Sequence, residues 1–421
     1  MMTTMKNKIA KRILAFGLTA LIGCQALALT GCGSTRDQLG TSAETESSVS
    51  DTEGNTANSD TSGANDTSGS ANTSDTSNTS DSTDSATKST KSAKSSDTDV
   101  SSLLEINDPK EKAAVEAAKK KVQALSGEPR IIATSPATAE ICDRLDLDLA
   151  GVCSTTTSSI PDRYASLPTV GTAMSPDMEI VSSLSPDWIL SPSSLQSDLQ
   201  PKYEAINTDW AFLNLKSVPG MYRSIQELGE IFNRQEEAQQ LVNEFTEFYN
   251  DYKTKNEGKE HPKVLILMGL PGSYIIATEN SYVGSLVELA GGENVYAGTN
   301  QEFLTVNTED MKTKEPDIIL RAAHALPDQV MEMFNEDFAT NDIWQHFDAV
   351  KNGRVYDLTY ELFGMSATFK YPEALEELQP ILYPESDADT QKAKENSEKA
   401  QKNAEDSNAT EKYNDIQKSN K

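Results

Sequence analysis

The sequence is poor in histidine and cysteine, and the signatures of the common enzyme classes are absent from it. It has three His and four Cys in 421 residues, which argues against a cage of several His for a bare Zn²⁺ or Mn²⁺ ion. It contains no glycine-rich phosphate loop and no G-x-S-x-G, H-E-x-x-H or paired C-x-x-C pattern. Because no acid–base or open-metal constellation is visible either, the sequence predicts a protein that is not an enzyme.

Aromatic residues are missing from a long stretch near the N-terminus. No Phe, Trp or Tyr occurs between Phe16 and Tyr164, and residues 34–102 are mostly Ser, Thr, Asp, Asn and Gly. Such a segment cannot bury enough apolar surface to offset the entropy lost on ordering, so it predicts a disordered tether. Residues 385–421 are similarly polar, and they predict a disordered tail, with transient helix as the alternative.

The first residues have the pattern of a secretory signal. Four basic residues within the first twelve precede an apolar run over residues 13–30, which predicts a signal peptide over residues 1–31. The L-T-G-C ending at Cys32 resembles the lipobox of bacterial lipoproteins, which implies a diacylated Cys32 at the start of a tether over residues 32–102. L-I-G-C at Cys24 fits the same pattern, but the fuller apolar region favours Cys32. A transmembrane segment is less well supported, because Gly, Gln and Thr interrupt the run.

The charge balance also excludes one class of partner. The formal net charge is −28, and nucleic acid needs a basic face, so we expect no nucleic-acid partner.

The two cysteines outside the signal region are Cys142 and Cys153. A disulfide and two buried thiols are both compatible with their positions.

The rest of the chain is arranged around one long helix. Apolar residues recur at helical spacing over residues 233–257, and Asn233 and Glu236 have the spacing of a capping box. Strand and helix patterns alternate on both sides, over residues 129–232 and 258–384, after a lead-in helix within residues 103–128. The alternation predicts an α/β fold, with two lobes of mostly parallel sheet joined by the helix.

Several segments resemble one family of transport proteins. R-I-I-A-T-S-P-A-T-A-E-I, P-D-M-E-I-V-S-S-L-S-P-D-W-I-L and L-V-E-L-A-G-G-E-N-V are similar to the substrate-binding lipoproteins of ABC importers for siderophores, vitamin B12 and haem. Within that family, M-S-P-D-M-E-I-V, I-I-L-R-A-A-H and N-D-I-W-Q-H-F-D-A-V-K-N resemble the haem receptors of the iron-regulated surface determinant systems. The resemblance covers about residues 129–383 and implies a class III binding-protein fold with ligand held between the lobes.

The resemblance implies specific residues for haem. Met174 and His324 match the axial ligands of the iron, a thioether and an imidazole, which form a known pair in haem proteins. Met178, Met268 and Met365 are the alternative thioethers. If haem is the ligand, two alternative groups of donors are candidates for its propionates: the backbone amides around Thr134 and Ser135, or the hydroxyls of Thr156, Thr157 and Ser158.

The same resemblance implies partners and a location. Glu179 and Glu288 match the surface carboxylates that pair with Arg residues of the ABC permease. We therefore expect a monomeric, lipid-anchored protein on the extracellular face of a Gram-positive-type membrane, which takes haem from the medium or from cell-wall donors. A siderophore or cobamide receptor of the same fold is the alternative. A structural surface protein fits the tether but not the two lobes.

Overall fold

The computed structural model describes residues 100–155 and 158–406. The predicted signal peptide, both lipidation candidates, nearly all of the tether and residues 407–421 lie outside the described residues. Within the described part of the chain, no helix combines the length and the apolarity that crossing a membrane requires.

The first lobe is a parallel sheet with helices around it. Its helices are α1 (Val100–Leu104), α2 (Pro109–Gln123), α3 (Pro136–Arg144), α4 (Met178–Ser183), α5 (Gln196–Ala205) and α6 (Val218–Phe232), and its strands are β1 (Ile131–Ala133), β2 (Leu149–Val152), β3 (Trp188–Pro192) and β4 (Asp209–Leu213). The strand order is β2-β1-β3-β4, and every pairing is parallel. All four strands therefore end at the same edge of the sheet.

One long helix, α7 (Gln235–Asn256), follows the first lobe. The predicted helix is confirmed, but its predicted cap is wrong. Asn233 has φ +57°, ψ +50° and ends α6 in the left-handed conformation, and the residue before α7 is Arg234. Asn adopts this conformation more readily than most residues, so it terminates one helix here instead of starting the next.

The second lobe has a mixed sheet. Its strands are β5 (Lys263–Leu270), β6 (Ser273–Ala277), β7 (Glu293–Asn294), β8 (Phe303–Leu304), β9 (Ile318–Ala323) and β10 (Val355–Asp357). Its helices are α8 (Tyr282–Leu289), α9 (Thr308–Thr313), α10 (Pro327–Thr340), α11 (Asp348–Lys351), α12 (Tyr371–Leu382) and α13 (Asp387–Asp406). The order is β10-β9-β5-β6-β8, with β7 beside β5. The tight turn after β5 makes β6 antiparallel, whereas β9 and β10 run parallel to β5.

The predicted lead-in segment packs on the first lobe. Leu104 is buried, and its carbonyl accepts a 2.8 Å hydrogen bond from Nε2 of Gln226 in α6. Lys119 of α2 pairs with Glu230 of α6 at 2.6 Å. Helical structure begins at Val100, so the predicted tether ends slightly earlier than residue 102.

The prediction of a disordered tail is wrong for its first half. α13 buries Ala393, Ala400 and Ala404 against the second lobe. These small residues have a spacing of seven and four, which places them on one side of a helix. The polar composition of the segment hides this side, because alanine contributes little to an apolar pattern.

The two lobes share one hydrophobic core along α7. Phe245 is fully buried, stacks on Tyr222 of α6 with ring centroids 4.6 Å apart, and meets Tyr371 of α12 edge to face at 5.4 Å. Nearer the end of α7, Asn256 and Gln379 of α12 exchange two amide hydrogen bonds of 2.8 and 2.9 Å. A single helix therefore contacts both lobes through buried side chains.

We predict that Phe245 contributes more to stability than any less buried ring of α7. Phe245→Ala removes contacts to both lobes and should lower the free energy of unfolding by about 3–5 kcal/mol, measured by denaturant titration. Phe248 is on the same helix but only half-buried, so Phe248→Ala is the matched control. It should lower the free energy of unfolding clearly less than Phe245→Ala does. An equal loss in the two variants would contradict the central place given to Phe245.

Candidate functional site

The loops at the carboxyl ends of the two sheets contact each other. Leu215, just beyond β4, accepts a 2.8 Å hydrogen bond from the amide of Ala367 in the second lobe. Next to it, Lys216 pairs with Glu302 at 2.8 Å. In open α/β sheets, ligands bind beyond the carboxyl ends of the strands. The meeting of these loops marks the edge where a ligand would contact both lobes.

Met174 lies at the tip of a turn on the first lobe. Residues 168–170 continue beside β2, since the amide of Val170 donates to the carbonyl of Val152 at 2.8 Å. The chain then turns back through a bridge between Gly171 and Pro176. The Met174 side chain is 71% exposed, although methionine is usually buried. An exposed thioether beyond a sheet edge is available to a ligand.

Gly171 is required for this turn. Its φ is +88°, and a Cβ atom there would lie 2.7 Å from the carbonyl oxygen of Ser175. Only glycine adopts such a conformation without strain and also leaves room for the returning backbone. Asp177 follows the turn and caps α4 by accepting from the amides of Glu179 and Ile180.

His324 lies at the corresponding edge of the second lobe. It follows β9 directly, and its amide donates to the carbonyl of Gly269 at 2.9 Å. Its Nδ1 atom is buried and has no hydrogen-bond partner among the described residues. Burial lowers the pKa of the imidazole, which favours the neutral form that coordinates metals. A buried nitrogen without a partner is costly in a protein that has no ligand for it.

The other histidines are less suited to bind iron. His261 is exposed, and its Nδ1 lies 2.6 Å from the carbonyl oxygen of Gly291. His346 is exposed in a short 3₁₀ helix, Asp342–His346. The described residues contain no group of three or more His, Cys, Asp or Glu side chains that could hold a metal ion by themselves.

The alternative thioethers differ in accessibility. Met268 is 1% exposed in the middle of β5, and Met178 packs against the apolar cluster of the first lobe. Met365 is half-buried in the loop that also contains Ala367, which contacts Leu215 of the other lobe. Of these three alternatives, Met365 is therefore the one in a loop that contacts the other lobe.

The predicted propionate donors near β1 are already used inside the first lobe. The amide of Thr134 donates to the carbonyl of Leu190 at 3.0 Å, and its hydroxyl lies 2.7 Å from that of Ser191. Ser135 caps α3 in a reciprocal box with Thr138, which accepts from the Ser135 amide at 3.0 Å. Thr134 is therefore bonded to the neighbouring strand and Ser135 to its own helix, so both residues have a structural role within the first lobe.

The other predicted residues that the structure describes are exposed. Ser158 is exposed, whereas Thr156 and Thr157 lie outside the described residues. Glu179 is exposed in the first turn of α4, and Glu288 is the exposed member of the otherwise buried α8. Each lobe thus presents one of the two predicted docking carboxylates to solvent.

Cys142 and Cys153 are both buried and are not joined to each other. Burial raises the pKa of each thiol to about 12. Thiols with raised pKa values react slowly, since the thiolate is the nucleophile. Of the two possibilities that the sequence left open, the structure shows free thiols.

Comparisons with known proteins show which family this fold belongs to. The profile of the family described as periplasmic binding protein matches residues 131–362. The high-affinity heme uptake system protein IsdE of Staphylococcus aureus (strain Newman) is 42% identical over 263 residues, which are 61% of this chain and 88% of that protein.

Solved structures agree with this match. An ABC transporter substrate-binding protein from Listeria monocytogenes EGD-e is 48% identical, with TM-score 0.59 over 61% of this chain and 99% of that chain. The S. aureus IsdE structure complexed with heme is 41% identical, with TM-score 0.58 over 61% of this chain and 100% of that chain. The periplasmic heme binding protein HutB of Vibrio cholerae is only 18% identical, with TM-score 0.51 over 61% of this chain and 100% of that chain, and shares the fold. The chain belongs to the periplasmic binding protein family.

Proposed function

We propose that this protein binds haem between its two lobes and delivers it to the permease of an ABC importer. The observation that carries the proposal is the pair of residues beyond the two sheet edges, an exposed thioether at Met174 and a buried imidazole nitrogen without a partner at His324. The relatives of this chain include a heme uptake protein, and the match covers 88% of that protein. Haem iron accepts this pair of ligands axially.

The two ligands have different roles in this proposal. His324 follows a strand that is fully buried on both sides, so its imidazole has little freedom to move. Met174 is at the tip of an exposed turn, and a neutral thioether binds iron more weakly than imidazole. His324 therefore holds the haem, and Met174 is the exchangeable ligand that allows release to the permease.

The bridging helix limits how the lobes move around the ligand. α7 is buried against both lobes through aromatic side chains, and rearranging such packing is costly. Binding is then accompanied by small adjustments of loops such as the Met174 turn, and wide opening and closing of the lobes is not needed.

Removal of each ligand should have a distinct effect. We expect His324→Ala to weaken hemin binding by about tenfold or more, about 1.4 kcal/mol, and Met174→Ala to weaken it less. The wild-type protein should give the Soret band and low-spin spectrum of a six-coordinate haem with one nitrogen and one sulfur ligand. Absorption titration with hemin and magnetic circular dichroism measure both properties.

The controls for this experiment use the same substitutions elsewhere. Met333 lies in α10 and His346 in the 3₁₀ helix Asp342–His346 of the second lobe. His346→Ala and Met333→Ala should therefore leave the haem spectrum unchanged. If both ligand variants keep the wild-type spectrum and affinity, the assignment is wrong. If only Met174→Ala is silent, Met365 is the next thioether to replace. A protein that gives no Soret band with hemin but binds a ferric siderophore or cobamide would favour the alternative ligand.

Docking to the permease is assigned to Glu179 and Glu288. Carboxylates on opposite lobes can pair with arginines on two permease subunits and so set the orientation of the complex. We expect Glu179→Ala combined with Glu288→Ala to reduce haem uptake by cells severalfold, while hemin binding by the purified protein stays at the wild-type level. Uptake of labelled haem measures the first effect.

A matched control is available for the docking pair. Glu204→Ala combined with Glu332→Ala also removes one exposed carboxylate from a helix of each lobe. This variant should transport haem at the wild-type rate. Equal rates for both double variants would show that docking uses another surface.

The lipid anchor is assigned to Cys32. The L-T-G-C pattern and the polar tether beyond it support this choice. Two acyl chains hold a protein firmly at a membrane, and a flexible tether lets the lobes reach a permease. We expect Cys32→Ala to release the protein into the medium, as judged by fractionation, and N-terminal peptide mass analysis to find the lipid on Cys32. Lipid on Cys24 would move the site, and no lipid at all would overturn the proposed location.

A further inference from the structure

A buried ion pair links β9, the strand that precedes His324, to the neighbouring strand β10. Arg321 of β9 forms a two-point contact with Asp357 at the end of β10, with Nε to Oδ1 at 2.5 Å and Nη2 to Oδ2 at 2.6 Å. Nη2 of Arg321 also donates to Oδ1 of Asn335 in α10 at 3.0 Å. His324 lies between the end of β9 and the start of α10. Arg321 therefore fixes the strand before this histidine and the helix after it.

The residues on either side of His324 also have little freedom to move. Ala322 and Ala323 are fully buried in the sheet, so the strand between Arg321 and His324 has no room to shift. Two residues beyond His324, Leu326 adopts φ +47° in the left-handed region. A non-glycine residue keeps that strained conformation only where its surroundings impose it. The position of the imidazole is thus determined by what holds β9 and α10 together.

The C-terminal helix completes the ion pair. Nε2 of Gln401 in α13 donates to Oδ2 of Asp357 at 2.5 Å, and the amide of Asp357 donates to Oγ of Ser397 at 2.8 Å. Asp357 is 1% exposed, and a buried carboxylate needs a partner for each of its lone-pair sites. Since α13 lies outside the residues 131–362 matched by the family profile, this support is supplied by a segment beyond the matched domain.

We propose that Gln401 and Ser397 are positioning residues for His324, and that α13 orders the carboxyl end of β9 through Asp357. They act through Asp357 and Arg321 and do not contact the ligand themselves. The haem readout of this inference rests on the proposed function, whereas the position of His324 can be measured in the protein without haem.

The decisive variant is Gln401→Met, which keeps the length and helix propensity of the side chain but removes the donor. Gln391→Met is the matched control, because Gln391 is exposed on the same helix and donates to Glu395 at 3.2 Å, one turn further along. In the haem-free protein we expect hydrogen–deuterium exchange at the His324 amide to be about two- to tenfold faster in Gln401→Met, the effect of losing one hydrogen bond. Gln391→Met should match the wild type.

The haem-bound protein provides the second readout. In Gln401→Met we expect hemin to dissociate faster by a similar factor, with a high-spin component added to the low-spin spectrum. Ser397→Ala is the second variant if Gln401→Met does not fold, and it should give the same two changes. A variant that lowers the melting temperature but leaves the His324 exchange rate and the spectrum unchanged would overturn the proposal, because α13 would then be a structural cover only. If the wild type gives no haem spectrum, the proposed function fails, and amide exchange still decides this inference.

Discussion

The packing of α7 against both lobes is the constraint on which the other features depend. Phe245 lies between Tyr222 of the first lobe and Tyr371 of the second, so one buried ring belongs to both halves. The core along α7 is continuous, and neither lobe can rotate freely without exposing apolar surface to water. The loops at the two sheet edges are consequently held near each other before a ligand arrives. A site composed of residues from both lobes needs this arrangement.

The two proposed iron ligands differ in how firmly they are held. His324 is fixed by a buried strand, by the ion pair of Arg321 and Asp357 and by the helix that begins at Pro327. Met174 is held only by its turn and remains mostly exposed. A transport protein must bind its cargo and also release it. In the proposal, the firmly held His324 retains the haem and the exposed Met174 is displaced first.

Local patterns were sufficient for the element order and the architecture. Helix α7 and the alternation of strands and helices follow from the spacing of apolar residues, which neighbouring residues determine. The family resemblance added the assignment to a class of binding proteins, which the comparisons confirm. It also directed attention to Met174 and His324, whose assignment as ligands stays a prediction. Without the resemblance, a Met in a loop and a His at the end of a strand would be interpreted as ordinary structural residues.

The sequence by itself thus determined the two lobes, the long helix between them and the family, but not every helix boundary. Tertiary structure decided which polar groups are free. Thr134 and Ser135 are used inside their own lobe, and Asn233 ends α6 instead of capping α7. The polar segment 387–406 is a helix because its alanines meet an apolar surface and Gln401 meets a buried carboxylate. The physical reason is the same each time: a hydrogen bond or a buried contact depends on a partner distant in the sequence, and no local pattern records that partner.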